Sequence, residues 1–253
     1  MPSPAVFLVG GDGMIEAVTH PTWTPLVEGY NLGAVRGHFA SVRIRLEQPD
    51  AQPTLVHATH VSWWDGHIGL CVARAMNLRF RVMMLESELK KYGFLRYSGA
   101  FGFTPGSAGS VKDAIRYAAR QLEKPRFLLM FPSGQILPAS HRPIPFQAGV
   151  ASMALRAARE FGSVNVRAMA LRLEHRGQAR PEAFARLGVP RTVTSGTLPD
   201  LTATLRDDLT LEADALEADL RADHLESYHE TLRGFASAQE GWDAVRRRIG
   251  VKL

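Results

Sequence analysis

His57-Ala58-Thr59-His60-Val61-Ser62-Trp63-Trp64-Asp65-Gly66 joins two kinds of sequence. Before it, the run from Pro53 to Thr59 is β-rich. After it, Ile68, Cys71, Val72, Ala75 and Met76 recur at the spacing of an amphipathic helix. His60 and Asp65, with four residues between them, therefore sit where a strand ends and a helix begins. An aspartate in a first helical turn can reach back to the preceding loop. If its carboxylate accepts the imidazole Nδ1–H, the tautomer is fixed and Nε2 is left as a base. The positive end of the helix dipole lies beside that centre.

Outward from this junction, strand and helix patterns alternate. Ala40 to Leu46 alternates, with Val42, Ile44 and Leu46 on one face and Ser41, Arg43 and Arg45 on the other, as in a half-buried strand. Gln48 to Gln52 reads as a turn. Leu78 to Leu85 reads as a strand, Ser87 to Tyr97 as a short helix interrupted at Gly93, and Gly99 to Thr104 as a glycine-rich strand. Ser110-Val111-Lys112-Asp113 resembles a capping box opening a helix through Leu122. Arg126 to Phe131 is a continuous apolar run, the mark of a strand covered on both faces. A helix over Gly149–Phe161, a strand over Val164–Leu173 and short strands within 181–198 follow. From Pro199 the pattern predicts helix to the end, in two segments parted near Gly234 or Gly241. This alternation predicts an α/β fold, a largely parallel central sheet flanked by helices, with a helical C-terminal segment. The expected division is residues 1–198 as the α/β domain and 199–253 as a helical extension packed on it or appended to it.

Composition sets the outer bounds. A chain of 253 residues with 45% hydrophobic residues suffices for one full core. The single Cys71 excludes an intrachain disulfide framework and fits a reducing compartment; its place on the apolar helix face marks a core thiol rather than a nucleophile. No run approaches the roughly 18 apolar residues of a spanning helix, and Met1 to Val9 lacks a basic leader, so no signal peptide is expected. Residues 200–230 hold ten acids and two arginines, a net −8, against +13 for the remainder. A basic main body suits an anionic membrane surface or a phosphate-bearing substrate, or is simply a solvated surface beside an acidic appendage. The acidic run Glu212 to Glu226 is read as a solvated helix face.

Other features have plainer readings. Gly10-Gly11-Asp12-Gly13 after an apolar run can bind phosphate, but nothing downstream supplies a Walker lysine, and a turn is the better reading. Trp23 to Phe39 carries scattered apolar residues that could form a helix on a bilayer. Gly29, Gly33 and Gly37 argue against a regular one, and packing against the domain is favoured. His57, His60 and His67 lack the companions of a zinc set, so no metal is expected. There is no Gly-x-Ser-x-Gly elbow and no nucleic-acid motif. Trp63 and Trp64 line a channel for an apolar ligand or dip into an interface, or one of them packs in the core.

The pair has ordered companions: Glu88-Leu89-Lys90 through Gly93, then Gly99-Ala100-Phe101-Gly102-Phe103, then Leu129-Met130-Phe131-Pro132-Ser133-Gly134, then Phe146-Gln147-Ala148-Gly149. That order and spacing over about residues 40–190 resembles the glycerolipid acyltransferase family, the lysophosphatidic acid acyltransferase group in particular. The resemblance implies acyl transfer from acyl-CoA or acyl-carrier protein to a hydroxyl of a lipid acceptor. His60 would be the general base and Asp65 would orient it. Ser62, Gly99, Thr104, Phe131, Pro132, Ser133 and Gly134 would be substrate-binding positions. It implies no cofactor beyond the acyl carrier as co-substrate, and a cytoplasmic protein peripheral on the inner face of the membrane. The backbone N–H groups near Ser133 and Gly134 are candidate oxyanion donors. An inactive relative that binds lipid or a partner protein is the alternative.

Two departures bear on the acceptor. The family usually shows Phe-Pro-Glu-Gly-Thr-Arg where this chain has Phe131-Pro132-Ser133-Gly134-Gln135-Ile136. Its glycine-rich strand normally ends in an arginine that binds the acceptor's phosphate, where Thr104-Pro105 stands here. Thr cannot replace a bidentate guanidinium. Either Arg96, Lys112, Arg116 or Arg142 substitutes, or the acceptor carries no phosphate; the reading leans to the second. A later strand lacks the family's proline over Val166–Leu171.

Overall fold

The structure is a computed structural model, and it describes residues 14–48 and 52–236. The glycine run at 10–13, most of the turn at 48–52 and the second C-terminal helical segment expected beyond Gly241 lie outside the described residues. In chain order the elements are α1 (Trp23–His38), β1 (Ser41–Leu46), β2 (Thr54–Ala58), α2 (Asp65–Ala75), β3 (Arg79–Leu85), α3 (Glu86–Lys91), a 3-10 helix (Gly93–Ser98), β4 (Ala100–Phe103), α4 (Ala108–Gln121) and β5 (Arg126–Met130). Then come α5 (Gly149–Phe161), β6 (Val164–Glu174), β7 (Glu182–Leu187), β8 (Arg191–Val193), α6 (Leu198–Arg221) and β9 (His229–Arg233).

All these strands join one sheet in the order β4-β3-β5-β2-β6-β7-β1-β9, with β8 beside β6. From β4 through β6 every neighbouring pair is parallel. β7 runs against β6 and parallel to β1, and β9 closes the far edge against β1. The α/β expectation with a largely parallel, helix-flanked sheet therefore holds. The central strands are covered on both faces, as their unbroken apolar runs require. On β2, Val56 and Ala58 enter the core beneath α2, whereas Leu55 enters the core beneath α4 and α5. On β5, Phe127 and Leu129 face the first core while Leu128 and Met130 face the second.

Four sequence expectations need correction. First, Trp23–His38 is one continuous α-helix despite its glycines. Gly29, Gly33 and Gly37 have nothing within 4 Å of where a Cβ would stand, so they lie on its open side. Packing of Val35 and Asn31 against the body outweighs the cost of about 1 kcal/mol per glycine. Second, α4 is capped by Ser107, whose hydroxyl accepts the Ser110 N–H, and not by Ser110. Ser110 Oγ instead accepts the Thr104 N–H at 2.8 Å, tying the helix to the end of β4.

Third, the chain after Pro199 is not helical throughout. One long helix, α6, lies across β6 and β7, burying Leu205, Leu209, Ala213 and Leu216. The chain then returns as β9. Gly234 ends that strand where only glycine fits, since a Cβ there would stand 1.9 Å from the Phe39 carbonyl oxygen. Nor is Glu212 on a solvated face: it is buried and accepts from Arg186 at 2.7 Å. Arg186 also reaches Asp219 at 3.0 Å, which accepts the Tyr228 hydroxyl at 2.8 Å. This network fixes α6 to β7.

Candidate active site

The topology singles out one crevice. After β2 the chain crosses to β3, two places along the sheet; after β5 it crosses the other way, to β6. β2 and β5 are neighbours whose continuations part, and in such sheets ligands bind beyond the carboxyl ends of the strands at that point. His60 follows β2 and Phe131-Pro132-Ser133-Gly134 follows β5, so both candidate motifs converge there. The two aromatic rings meet: His60 stacks on Phe131 with ring centres 4.1 Å apart and planes 18° from parallel.

The His60–Asp65 pair is formed. Nδ1 lies 2.8 Å from Asp65 Oδ2. The same oxygen accepts the backbone N–H groups of Val61 at 2.6 Å and Ser62 at 2.9 Å, while Oδ1 accepts the Ser62 hydroxyl at 2.6 Å. A fully buried carboxylate thus has four donors, which answers the cost of removing it from water. A carboxylate can only accept, so Nδ1 carries the proton and Nε2 carries the lone pair. The His60 side chain is 22% exposed, whereas that of Asp65 is wholly buried. The loop is held from behind by the Leu137 N–H, which donates to the His60 carbonyl at 2.8 Å.

The other expected substrate-binding positions divide. Ser62 is a brace: its hydroxyl donates to Asp65 and accepts the Trp64 N–H at 3.1 Å. Gly99 lies at the amino end of β4, away from the crevice, in a left-handed conformation (φ 103°) where a Cβ would meet the Phe80 carbonyl oxygen at 2.2 Å. Its role is backbone packing. Thr104 stands at the carboxyl end of β4, but its hydroxyl donates to Glu86 at 2.9 Å. Phe131, Pro132, Ser133 and Gly134 form the turn at the end of β5. The Gly134 N–H closes that turn on the Phe131 carbonyl at 3.1 Å. Of the two backbone donors expected for an oxyanion, this one is engaged.

The neighbouring residues of the opening stretch separate in space. His57 is wholly buried against Phe146 on the far side of the strand, ring centres 5.4 Å apart, and burial pushes it down to about 3. His67 lies against Trp63 and Trp64, and burial pushes it down to about 4. Among the described residues no group of three or more His, Cys, Asp or Glu is placed to hold a metal ion. Trp64 packs on Phe39 and His38 in the core, whereas Trp63 is half exposed. The thiol of Cys71 is buried and burial pushes it up to about 12, which leaves it inert.

Sequence reasoning missed two supports. Gln147 donates its backbone N–H to the Pro132 carbonyl at 2.9 Å and lays its side chain against Gly134. Thr59 Oγ1 accepts the Leu171 N–H at 2.9 Å, anchoring the start of the His60 loop to β6. Gln147 was visible only as part of the Phe146-Gln147-Ala148-Gly149 run, and Thr59 carried no signal. A search of curated proteins finds no match to this chain. The family model described as Acyltransferase, in contrast, matches residues 41–170, half of the chain from β1 into β6 and enclosing the whole crevice, and the chain belongs to that family.

Proposed function

We propose that the protein transfers a fatty acyl group from a thioester, acyl-CoA or acyl-carrier protein, to a hydroxyl of a lipid acceptor. The observation that carries this is the formed His60–Asp65 pair, its imidazole partly exposed, at the crevice between β2 and β5. A hydroxyl is too weak an acid to attack unaided. Nε2 takes its proton as the oxygen attacks the thioester carbonyl, a contribution of about 10²–10⁴-fold. Asp65 stabilises the imidazolium that forms. The tetrahedral intermediate collapses with loss of the thiolate, which recovers the proton from Nε2. No acyl-enzyme is needed. The Ser133 N–H, next to the engaged Gly134 N–H, is the backbone donor assigned to the oxyanion.

The acceptor of this reading bears no phosphate monoester. At the end of β4 Thr104 is tied to Glu86; of the four cations that could replace the missing arginine, Arg116 is paired with Asp113 and Arg142 with Asp214, and among the described residues Arg96 and Lys112 are the two without an ion pair. The protein works at a membrane surface as a peripheral protein. No helix among the described residues is long and apolar enough to cross a bilayer. Trp23, Leu26, Tyr30, Trp63 and Phe94 are exposed on α1, the 3-10 helix and the catalytic loop. Trp and Tyr favour the membrane–water boundary.

Transfer of labelled acyl groups from acyl-CoA to a hydroxylated lipid on vesicles tests the reading. His60→Ala is expected to abolish transfer with the fold retained. Wild-type transfer by that variant removes His60 as the base. Absence of any His60-dependent turnover with either acyl carrier favours the inactive lipid- or partner-binding alternative. Saturable acylation of lysophosphatidate overturns the phosphate-free acceptor.

A further inference from the structure

One carboxylate shares the face of the sheet on which His60 lies. Ala58 of β2, Leu129 of β5, Met84 of β3 and Ala100 of β4 all pack in the first core, on the side covered by α2. Side chains alternate along a strand, so Phe131, Glu86 and Gly102 fall on that side too. The contacts of Gly102 agree: a Cβ there would meet Cα, Cβ and Cγ of Glu86 at 3.2, 3.3 and 3.4 Å. The missing side chain of Gly102 leaves the space in which the Glu86 side chain lies. His60 stacks on Phe131 and so joins the same face. Only β5 separates β3 from β2, two strand spacings or roughly 10 Å.

The Glu86 carboxylate accepts the Lys90 ammonium at 2.7 Å on one oxygen and the Thr104 hydroxyl at 2.9 Å on the other. Lys90, and after it Thr104, holds the carboxyl below the usual carboxylate range, so it stays ionised. Each oxygen keeps a further lone pair. The glutamate side chain is 17% exposed and set in the wall, whereas that of Lys90 is 56% exposed and can swing aside. From Glu86, α3 runs to Tyr92, whose ring meets that of Trp63 with centres 6.4 Å apart. Trp63 is half exposed and stands three residues after His60.

We infer that Glu86 selects the acceptor, and that the acceptor's polar part is a neutral, hydroxyl-rich group, a glycosyl headgroup. The inference rests on the acyl-transfer reading above. A hydroxyl both donates and accepts, so a sugar gives a hydrogen bond to Glu86 and takes one from Lys90. The Glu86–Lys90 pair is already neutral and has no charge left for an ammonium group. A phosphate monoester would meet a fixed carboxylate in a partly desolvated wall, and like charges repel there. The separation of β3 from β2 lets one hydroxyl of a sugar ring reach His60 while others of the same ring reach Glu86. The apolar face of the ring lies against Trp63.

The test uses the whole protein, acyl-CoA and acyl-carrier protein as donors, and vesicles carrying a monoglucosyl lipid, a long-chain alcohol or lysophosphatidate. Wild type is expected to prefer the glucosyl lipid to the alcohol by about tenfold in kcat/KM, chiefly through KM, and to leave lysophosphatidate unacylated. Glu86→Gln keeps the shape and is expected to lose most of that preference, about tenfold. Glu86→Lys is expected to raise kcat/KM for lysophosphatidate by about tenfold or more. Lys90→Met, at an exposed position that does not endanger folding, is expected to lower the glucosyl preference by about threefold. Damage to the fold lowers transfer to every acceptor alike, so the ratio between acceptors reports selection. A wild-type preference for lysophosphatidate overturns the proposal, as does a glucosyl-to-alcohol ratio that Glu86→Gln and Lys90→Met leave unchanged. Flotation with vesicles that hold or lack the glucosyl lipid reads the same contact without turnover. Glu86-dependent binding of glucosyl vesicles by a protein that transfers nothing keeps the contact and removes the acyl-transfer reading. His60-dependent transfer whose acceptor choice ignores Glu86 does the reverse, and neither transfer nor Glu86-dependent binding removes both.

Discussion

The imidazole of His60 lies nearly parallel on the ring of Phe131, centres 4.1 Å apart, although the two residues leave different strands whose chains depart in opposite directions. The stack joins the proposed base to the turn proposed for the oxyanion. Asp65 fixes one edge of the imidazole and Phe131 fixes one face, so the ring has little freedom left to turn Nε2 away from the crevice.

Phe131→Ala is therefore expected to lower kcat by about tenfold, because misplacing a positioned group is costly. The same change removes a part-buried aromatic packed on the core and costs about 1–3 kcal/mol of stability. Phe131→Tyr keeps the ring and should keep most of kcat. Steady-state kinetics beside urea unfolding separates the two effects. A Phe131→Ala enzyme with full kcat would show that Asp65 alone positions the base.

Asp65→Asn tests the tautomer. An amide can present its oxygen to the Val61 and Ser62 N–H groups or its nitrogen to His60, but the oxygen that now serves all three cannot be replaced on every count. If the amide N–H points at Nδ1, the proton shifts to Nε2 and the base is lost. A fall in kcat of about 10³-fold or more is expected, with a stability loss of about 1–3 kcal/mol from the unmatched donors. Imidazole proton resonances would report the change of tautomer. Retention of wild-type kcat would remove Asp65 as the orienting residue.

His57 makes the fold sensitive to acid. Its ring is buried, and burial holds it well below its ordinary value of 6.5, to about 3; Asp208 opposes the shift slightly and Arg191 adds to it. The unfolded chain binds the proton that the folded chain refuses. The contribution is therefore absent above pH 6.5, and stability falls as pH drops from 6.5 toward 3, by an amount on the order of 1.4 kcal/mol per unit. His67, lowered to about 4, acts in the same direction and over a narrower range. The gap between urea midpoints at pH 7.5 and pH 4.5 should narrow by about half in His57→Phe, which fits an aromatic environment beside Phe146 and carries no proton, with His67 accounting for the remainder. An acid response identical to wild type would assign the sensitivity elsewhere.

Much of this arrangement was legible because it is local. The His60–Asp65 pair spans one strand-to-helix junction, and the helix of Gly149–Phe161 announces itself by its own period. β9 was not legible. Its residues are mostly exposed and polar, so nothing in its pattern alternates, and only pairing with β1 makes it a strand. The regular helix α1 was hidden for the opposite reason: its glycines oppose it locally, and contacts made elsewhere in the chain decide the outcome. The His60–Phe131 stack brings together residues far apart in sequence, which no spacing rule can see.

Gly134→Ala probes the turn that carries the Ser133 N–H. Gly134 has φ of +69°, a left-handed value that costs an alanine about 1 kcal/mol. A Cβ there would also stand 2.6 Å from Nε2 of Gln147, whose backbone N–H holds Pro132. The Gln147 amide is the far end of a flexible side chain and can move, so the clash is relieved by displacing it rather than by unfolding. Gly134→Ala is expected to destabilise by about 1–2 kcal/mol and to lower kcat more than it raises the KM for the acceptor. Adding Gln147→Ala removes the steric part and leaves the backbone part. The double variant should therefore recover part of the stability, a positive coupling in a double-mutant cycle. Strict additivity of the two changes would show that Gln147 does not press on Gly134. An unchanged kcat in Gly134→Ala would take the oxyanion away from this turn.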